Sequence, residues 1–147
     1  MQNQSWQING LKELEAQLKD LGAAVGIKAL RKAGRDSMAG VQMAMMMGAG
    51  VDPESEGEHM RDSIKITTKK MDSKKAGDSN AIAVRVGPSK KHSQKAIAQE
   101  YGTEKQTADP FMRPSLYENR HRVVDDFSIN LTAAIQKAIK KQRRANK

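Results

Sequence analysis

Histidine, carboxylate and lysine side chains are the groups through which this chain could do chemistry, and their spacing argues against most of it. His59, His92 and His121 are scattered, with no pair at the short interval of a metal-binding set, so each reads as a surface or capping histidine. Ser93 follows His92 directly, and adjacent residues cannot form a nucleophile elbow. No glycine-rich loop ends in Gly-Lys-Ser/Thr, which excludes the phosphate cradle of that motif. Asp52 with Asp72, Ser73 and Lys74 offers an acidic pair and a lysine, the set a metal-dependent nuclease would use. Such carboxylates need rigid strands beneath them, and Asp72 falls in a polar segment that reads as a loop. No catalytic residue, metal ligand or cofactor is therefore assigned, and the chain reads as non-enzymatic.

Positive charge is a second kind of chemistry. The 147 residues carry a net +9, unevenly placed. Residues 61–95 hold ten basic against three acidic side chains, and residues 137–147 hold six basic and none acidic, while the rest of the chain is slightly acidic. Lys69, Lys70, Lys74, Lys75, Lys90 and Lys91 make the first cluster; Lys137, Lys140, Lys141, Arg143, Arg144 and Lys147 make the second. Either could meet DNA phosphates or an acidic protein face, or stand solvated. No aromatic residue interrupts them, which removes a base-stacking platform for single strands.

A third feature is conformational. Glu100-Tyr101-Gly102-Thr103 and Asp109-Pro110-Phe111-Met112-Arg113-Pro114 gather two of the four prolines, one of the two tyrosines and one of the two phenylalanines. Gly102 can take positive φ without steric cost, and each proline fixes its own φ near about −65° and restrains the residue before it. A rigid loop is expected, with Pro114 at the start of a helix, where a missing N–H costs nothing. Phe111 is aimed either at the core or at a partner.

These residues need a scaffold, and its elements are legible as patterns. Leu11, Leu14, Leu18 and Leu21 recur at helical steps behind Asn9, a good cap, up to Gly22. A second helix, from Val25–Ile27, puts Ile27, Leu30, Gly34, Met38, Val41 and Met45 on one face and ends at Gly48-Ala49-Gly50. Met43, Met45, Met46 and Met47 fill a core or make an adaptable binding surface. Val51 to Glu58 reads as a loop; 63–68 and 81–86 alternate as the arms of an antiparallel hairpin. Residues 69–80 between them exceed a tight turn and predict a mobile, basic arm. Residues 94–100 fit helix or strand. Leu116, Val123, Phe127, Leu131, Ile135 and Ala138 predict a C-terminal helix continuing past Lys140, with a basic tail over 140–147. The fold class expected is α+β: a small antiparallel sheet packed with two N-terminal helices and a long C-terminal helix, as one domain over 1–147. With 3% aromatic residues and no cysteine, the core rests on aliphatic side chains and methionine, and marginal stability as a free monomer is expected. The N-terminal residues lack the basic and apolar regions of a signal peptide, and the expected protein is soluble.

Tyr101-Gly102-Thr103, a polar spacer and then Pro110-Phe111-Met112-Arg113-Pro114 resemble the hallmark of the tail-completion or neck proteins of long-tailed bacteriophages, the gene-product-ten family of a lambda-like coliphage. Gly57 to Ile64 is similar to that family's Gly-x-Leu-Arg-x-Ser-Ile element, with Met60 in place of leucine, and the order of elements fits over nearly the whole chain. The stretch Val51–Glu56 is longer and more acidic than the family's. The resemblance implies a virion structural protein, made in the host cytoplasm, that forms a homo-oligomeric, hexameric ring. It completes the tail and joins it to the head-side connector around the DNA channel, in contact with a tail terminator or tail tube protein, with non-specific DNA contact and no membrane. Tyr101, Gly102, Thr103, Pro110, Phe111, Arg113 and Pro114 are the expected docking loop, and Lys69, Lys70, Lys74 and Lys75 the basic arm. Two other readings stand beside this one: a tail terminator capping the tube and, from charge alone, a free-standing basic DNA-binding protein.

Overall fold

The computed structural model describes residues 10–70 and 82–147. Helix α1 (Leu11–Asp20) enters through Gly10 at φ 85°, with no side-chain cap; the expected cap Asn9 lies outside the described residues. Helices α2 (Ala23–Ser37) and α3 (Ala39–Gly48) follow, then a 3₁₀ turn at Arg61–Ser63 and strands β1 (Lys65–Lys70) and β2 (Ile82–Gly87). A second 3₁₀ turn at Lys90–His92 leads into α4 (Ser93–Tyr101) and the long α5 (Met112–Ala145). The fold is α+β: β1 and β2 pair antiparallel from Lys65↔Gly87 to Lys70↔Ile82, and α2 and α3 pack on both the sheet and α5.

Two apolar clusters hold these elements together. Val41, Met45, Ala49, Met60, Ile64, Ala96 and Phe111 form one, joining α3, the 57–64 segment, α4 and the start of α5. Leu21, Ala29, Ala33, Leu131 and Ile135 form the other, with Leu14, Leu18 and Phe127 at its margin. Ala29 and Ala33, both buried, keep the face of α2 low, so the 34-residue α5, about 51 Å long, can pack closely against it. The 57–64 element is anchored by Ser63, whose hydroxyl donates to Met60 O at 2.8 Å and accepts from Ser89 N–H at 3.2 Å. That bond ties the turn before β1 to the exit of β2.

The structure differs from expectation in several places, beginning with the strand expected from residue 63, which starts at Lys65 after the 3₁₀ turn Arg61–Ser63. The single helix expected from Val25–Ile27 to Gly48 is two, because at Ser37 the hydroxyl donates to Gly34 O and Met38 N–H takes the tighter bond to Arg35 O. This local competition for carbonyls bends the chain. The methionines divide: Met45 is buried while Met43 and Met47 stand exposed. Lys69 and Lys70, assigned to the arm, lie in β1 opposite Ala83 and Ile82, since the ladder continues two residues beyond the apolar alternation. The remainder of that arm, with Lys74 and Lys75 and the Asp72-Ser73-Lys74 set, lies outside the described residues. Among the described residues, no helix is long and apolar enough to cross a membrane.

Candidate functional site

The corner between α4 and α5 is built around two adjacent polar side chains in the last turn of α4. Gln99 is buried, and its amide donates to Gly48 O at 2.9 Å and Asp109 O at 3.3 Å while accepting from Gly50 N–H at 2.8 Å. Asp109 N–H in turn donates to Gln99 O at 2.8 Å. One side chain thus stitches the end of α3 to the loop that precedes α5. Residues 94–100, whose pattern fits helix or strand, are helix, which is what brings Gln99 and Glu100 to this position.

Glu100, 1% exposed, does the same for α5. Its carboxylate accepts from the N–H groups of Phe111 (2.8 Å), Met112 (2.9 Å) and Arg113 (3.1 Å), and from Arg113 Nε at 2.8 Å. A helix begins with N–H groups that have no partner within it. Here Met112 and Arg113 donate to Glu100, Pro114 has no N–H, and the accounting of the first turn closes. The cap comes from a neighbouring helix, and its negative charge sits at the positive end of the α5 dipole. Burial opposes ionisation of Glu100; against it, the Arg113 guanidinium and the three backbone N–H groups hold its pKa at about 2, from an ordinary 4.5.

Gly102 turns the chain out of α4 at φ 79°, and a Cβ there would lie 2.9 Å from Ala108 N. Both the backbone angle and the close approach require glycine. Thr103 and Gln106 exchange backbone bonds around Glu104-Lys105, and Thr103 Oγ1 accepts from Lys105 N–H at 3.2 Å. Phe111 is in the core, 3% exposed, against Gly48, where a Cβ would come within 2.9 Å of the Phe111 Cβ. Its two open alternatives resolve to the interior. Pro110 is exposed, and Pro114 is the third residue of α5 rather than its first. What the corner turns outward is Tyr101, 63% exposed, with the Arg113 guanidinium 4.6 Å from its ring centroid. Of the expected docking loop, then, Phe111 and Gly102 shape the corner, and Tyr101, Thr103, Pro110 and Arg113 are exposed.

Of the three histidines, His121 is exposed and His59 half-buried. His92 is buried, not on the surface; it stands at the N-cap of α4 without a side-chain cap bond, its Nε2 3.7 Å from Glu58 Oε2. Lys140 to Lys147 are exposed, and α5 carries them as helix to Ala145. A stripe that the charge count concealed lies on α2, where Lys28, Arg31, Lys32 and Arg35 all face outward; only Lys32 has an ion pair there among the described residues, to Asp36 at 2.9 Å. Segment totals missed it because the acidic 52–58 loop cancels it in the sum. Among the described residues, no group of three or more His, Asp or Glu could hold a metal ion. Compared with family models, with curated proteins and with solved structures, the chain matches none.

Proposed function

We propose that this protein is a non-enzymatic structural subunit of the neck of a long-tailed phage, assembling as a ring that completes the tail and joins it to the head connector. The sequence resemblance is the starting point, and the corner fixed by Glu100 is the observation that carries it. Among the residues that define the resemblance, Gly102 and Phe111 rigidify the corner, while Tyr101 and Arg113 stack against each other on its outside. A group held this firmly at the surface suits recognition by shape, since little side-chain freedom remains to be lost on docking. Ring subunits work by such geometry, one face meeting the next element of the stack and another meeting a neighbouring copy. The α2 stripe and the α5 tail then supply positive surfaces for DNA in the channel.

The experiment is removal of the gene from the phage or prophage that carries it. Electron microscopy of lysates is expected to show filled heads and complete-length tails unjoined, and infectivity returns when the protein is supplied. The purified chain is expected to leave DNA intact with Mg²⁺ or Mn²⁺. Normal particles without the protein, or metal-dependent cleavage lost in Asp72→Asn, would overturn the reading.

A further inference from the structure

The described residues hold few aromatic side chains, and both tyrosines of the protein lie among them on the outside: Tyr101 at 63% and Tyr117 at 66% exposure. Each is covered by an arginine, Arg113 over Tyr101 at 4.6 Å and Arg120 over Tyr117 at 3.8 Å. Arg113, Leu116, Tyr117 and Arg120 are spaced three and four residues apart and so share one face of α5. Ile97, one turn before Tyr101 on α4, extends it, and Ile97 and Leu116 are also exposed. Both guanidinium groups are already tethered on one side, Arg113 through Nε to Glu100 and Arg120 to Tyr117 O. Arg113 is exposed and Arg120 half-buried, and the N–H groups that these bonds leave unused suit a planar acceptor such as a carboxylate.

This chain has such acceptors. The loop between α3 and the first 3₁₀ turn exposes Asp52, Glu54, Glu56 and Glu58 within seven residues. Asp52 accepts from Glu54 N–H, and Glu58 faces His92, which leaves the Glu54 and Glu56 carboxylates with no partner among the described residues. Within one subunit the two surfaces cannot meet. The loop shares a cleft with Lys95 and Gln99 of α4, whereas Ile97 and Tyr101 lie two residues further along in each case, about 200° around the helix.

We infer that the Tyr101–Arg113–Tyr117–Arg120 face of one copy receives the Glu54–Glu56 loop of a second copy, a head-to-tail contact. Because the donor and acceptor surfaces are different parts of the chain, each bound copy still offers one of each, and repetition closes a ring or extends a filament. The tyrosine rings supply area that can be dried, and the arginines supply direction, the combination that anchors interfaces. The inference rests on the reading of the chain as a ring-forming subunit and names the surfaces that would close the ring.

The test is sedimentation velocity of the full chain over a concentration series, with three variants: Arg120→Glu at a half-buried position, and Tyr117→Ala and the loop double variant Glu54→Lys/Glu56→Lys at exposed ones. Unchanged circular dichroism melts at low concentration establish that each folds. Each is expected to weaken self-association at least tenfold. An equimolar mixture of Tyr117→Ala with the loop variant keeps one good contact per pair, because the loop lysines meet only arginines on the Tyr117→Ala face, and stops at a heterodimer. Combining the charge reversals in one chain restores assembly. If the wild-type chain assembles and the variants assemble equally well, the surfaces named here are wrong while the ring reading stands. If association is lost in the variants but the mixture gives no heterodimer, the face meets another partner and the inference fails. A chain that is monomeric at every concentration and absent from crosslinked oligomers in lysates would remove both.

Discussion

Glu100 shows how much one buried carboxylate can organise. It caps α5, fixes Arg113 and through it the Tyr101 stack, and its folded pKa of about 2 against an ordinary 4.5 is a statement about stability. The folded pKa is the lower, so below pH 4.5 the unfolded chain takes up a proton that the folded chain refuses. Stability from this group is therefore complete above pH 4.5 and lost as the pH falls towards 2, a loss of about 3 kcal/mol at about 1.36 kcal/mol per pKa unit. Urea unfolding of the wild type and Glu100→Gln at several pH values checks it: the variant is expected to be less stable by about 2–4 kcal/mol at pH 7, with the gap narrowing between pH 4.5 and 2. A gap that does not change with pH would mean the carboxylate is not the charged cap. The sequence marked this stretch by its glycine and prolines, which act on the backbone directly and can be read locally. The roles of Glu100 and Gln99 escaped because their partners lie at least ten residues away, for Gln99 as far as Gly48 and Gly50. One signal was present: the α5 start has Phe111 where a Ser, Thr, Asp or Asn is usual, so the cap had to come from elsewhere.

At the scale of elements, periodicity located α1, both strands and the C-terminal helix, because each has one apolar face and one core to meet. The break at Met38 was hidden, since the apolar spacing runs through it unchanged and the bend arises from the Ser37 hydroxyl, a contest of hydrogen bonds that hydrophobic pattern does not record. The extension of β1 over Lys69 and Lys70 was hidden for a related reason. Backbone pairing with Ala83 and Ile82 needs no apolar side chain. In α5 the buried positions stop at Ile135, with Ala138 and Ile139 half-buried beyond it, so the last turns add charge rather than packing. Deleting residues 141–147 is expected to leave the melting temperature within about 1 °C of the wild type, in line with the small effects of surface changes. It removes four cations; if all four contact DNA phosphates, the salt dependence of duplex binding weakens by a log–log slope of about 3.6. Fluorescence anisotropy with a duplex over a salt series measures it, and an unchanged slope would place the DNA contact elsewhere, with the α2 stripe the next surface to vary.

For the molecule as a whole, the two clusters are built from aliphatic side chains, alanine and methionine, with Phe111 and Phe127 the aromatic members, while the tyrosines are turned outward. Composition made the thin core legible beforehand; the outward direction of the tyrosines was not legible, because Tyr101 and Tyr117 sit in segments whose burial depends on how α4 meets α5. If the outward face is an interface between copies, folding and assembly are linked by mass action. Raising the protein concentration about a hundredfold past the dissociation constant then stabilises the folded chain by about 2.7 kcal/mol, which for a chain of this length moves the melting temperature by about 5–10 °C. Scanning calorimetry of the wild type is expected to show that rise, reduced by salt because carboxylate–guanidinium contacts at a surface are screened. Arg120→Glu is expected to show a smaller rise than the wild type over the same concentration range. A wild-type melting temperature that stays constant across the series, beside oligomers seen directly in the same samples, would mean that the assembled state gains no stability from contacts absent in the monomer, and would detach the outward tyrosines from assembly.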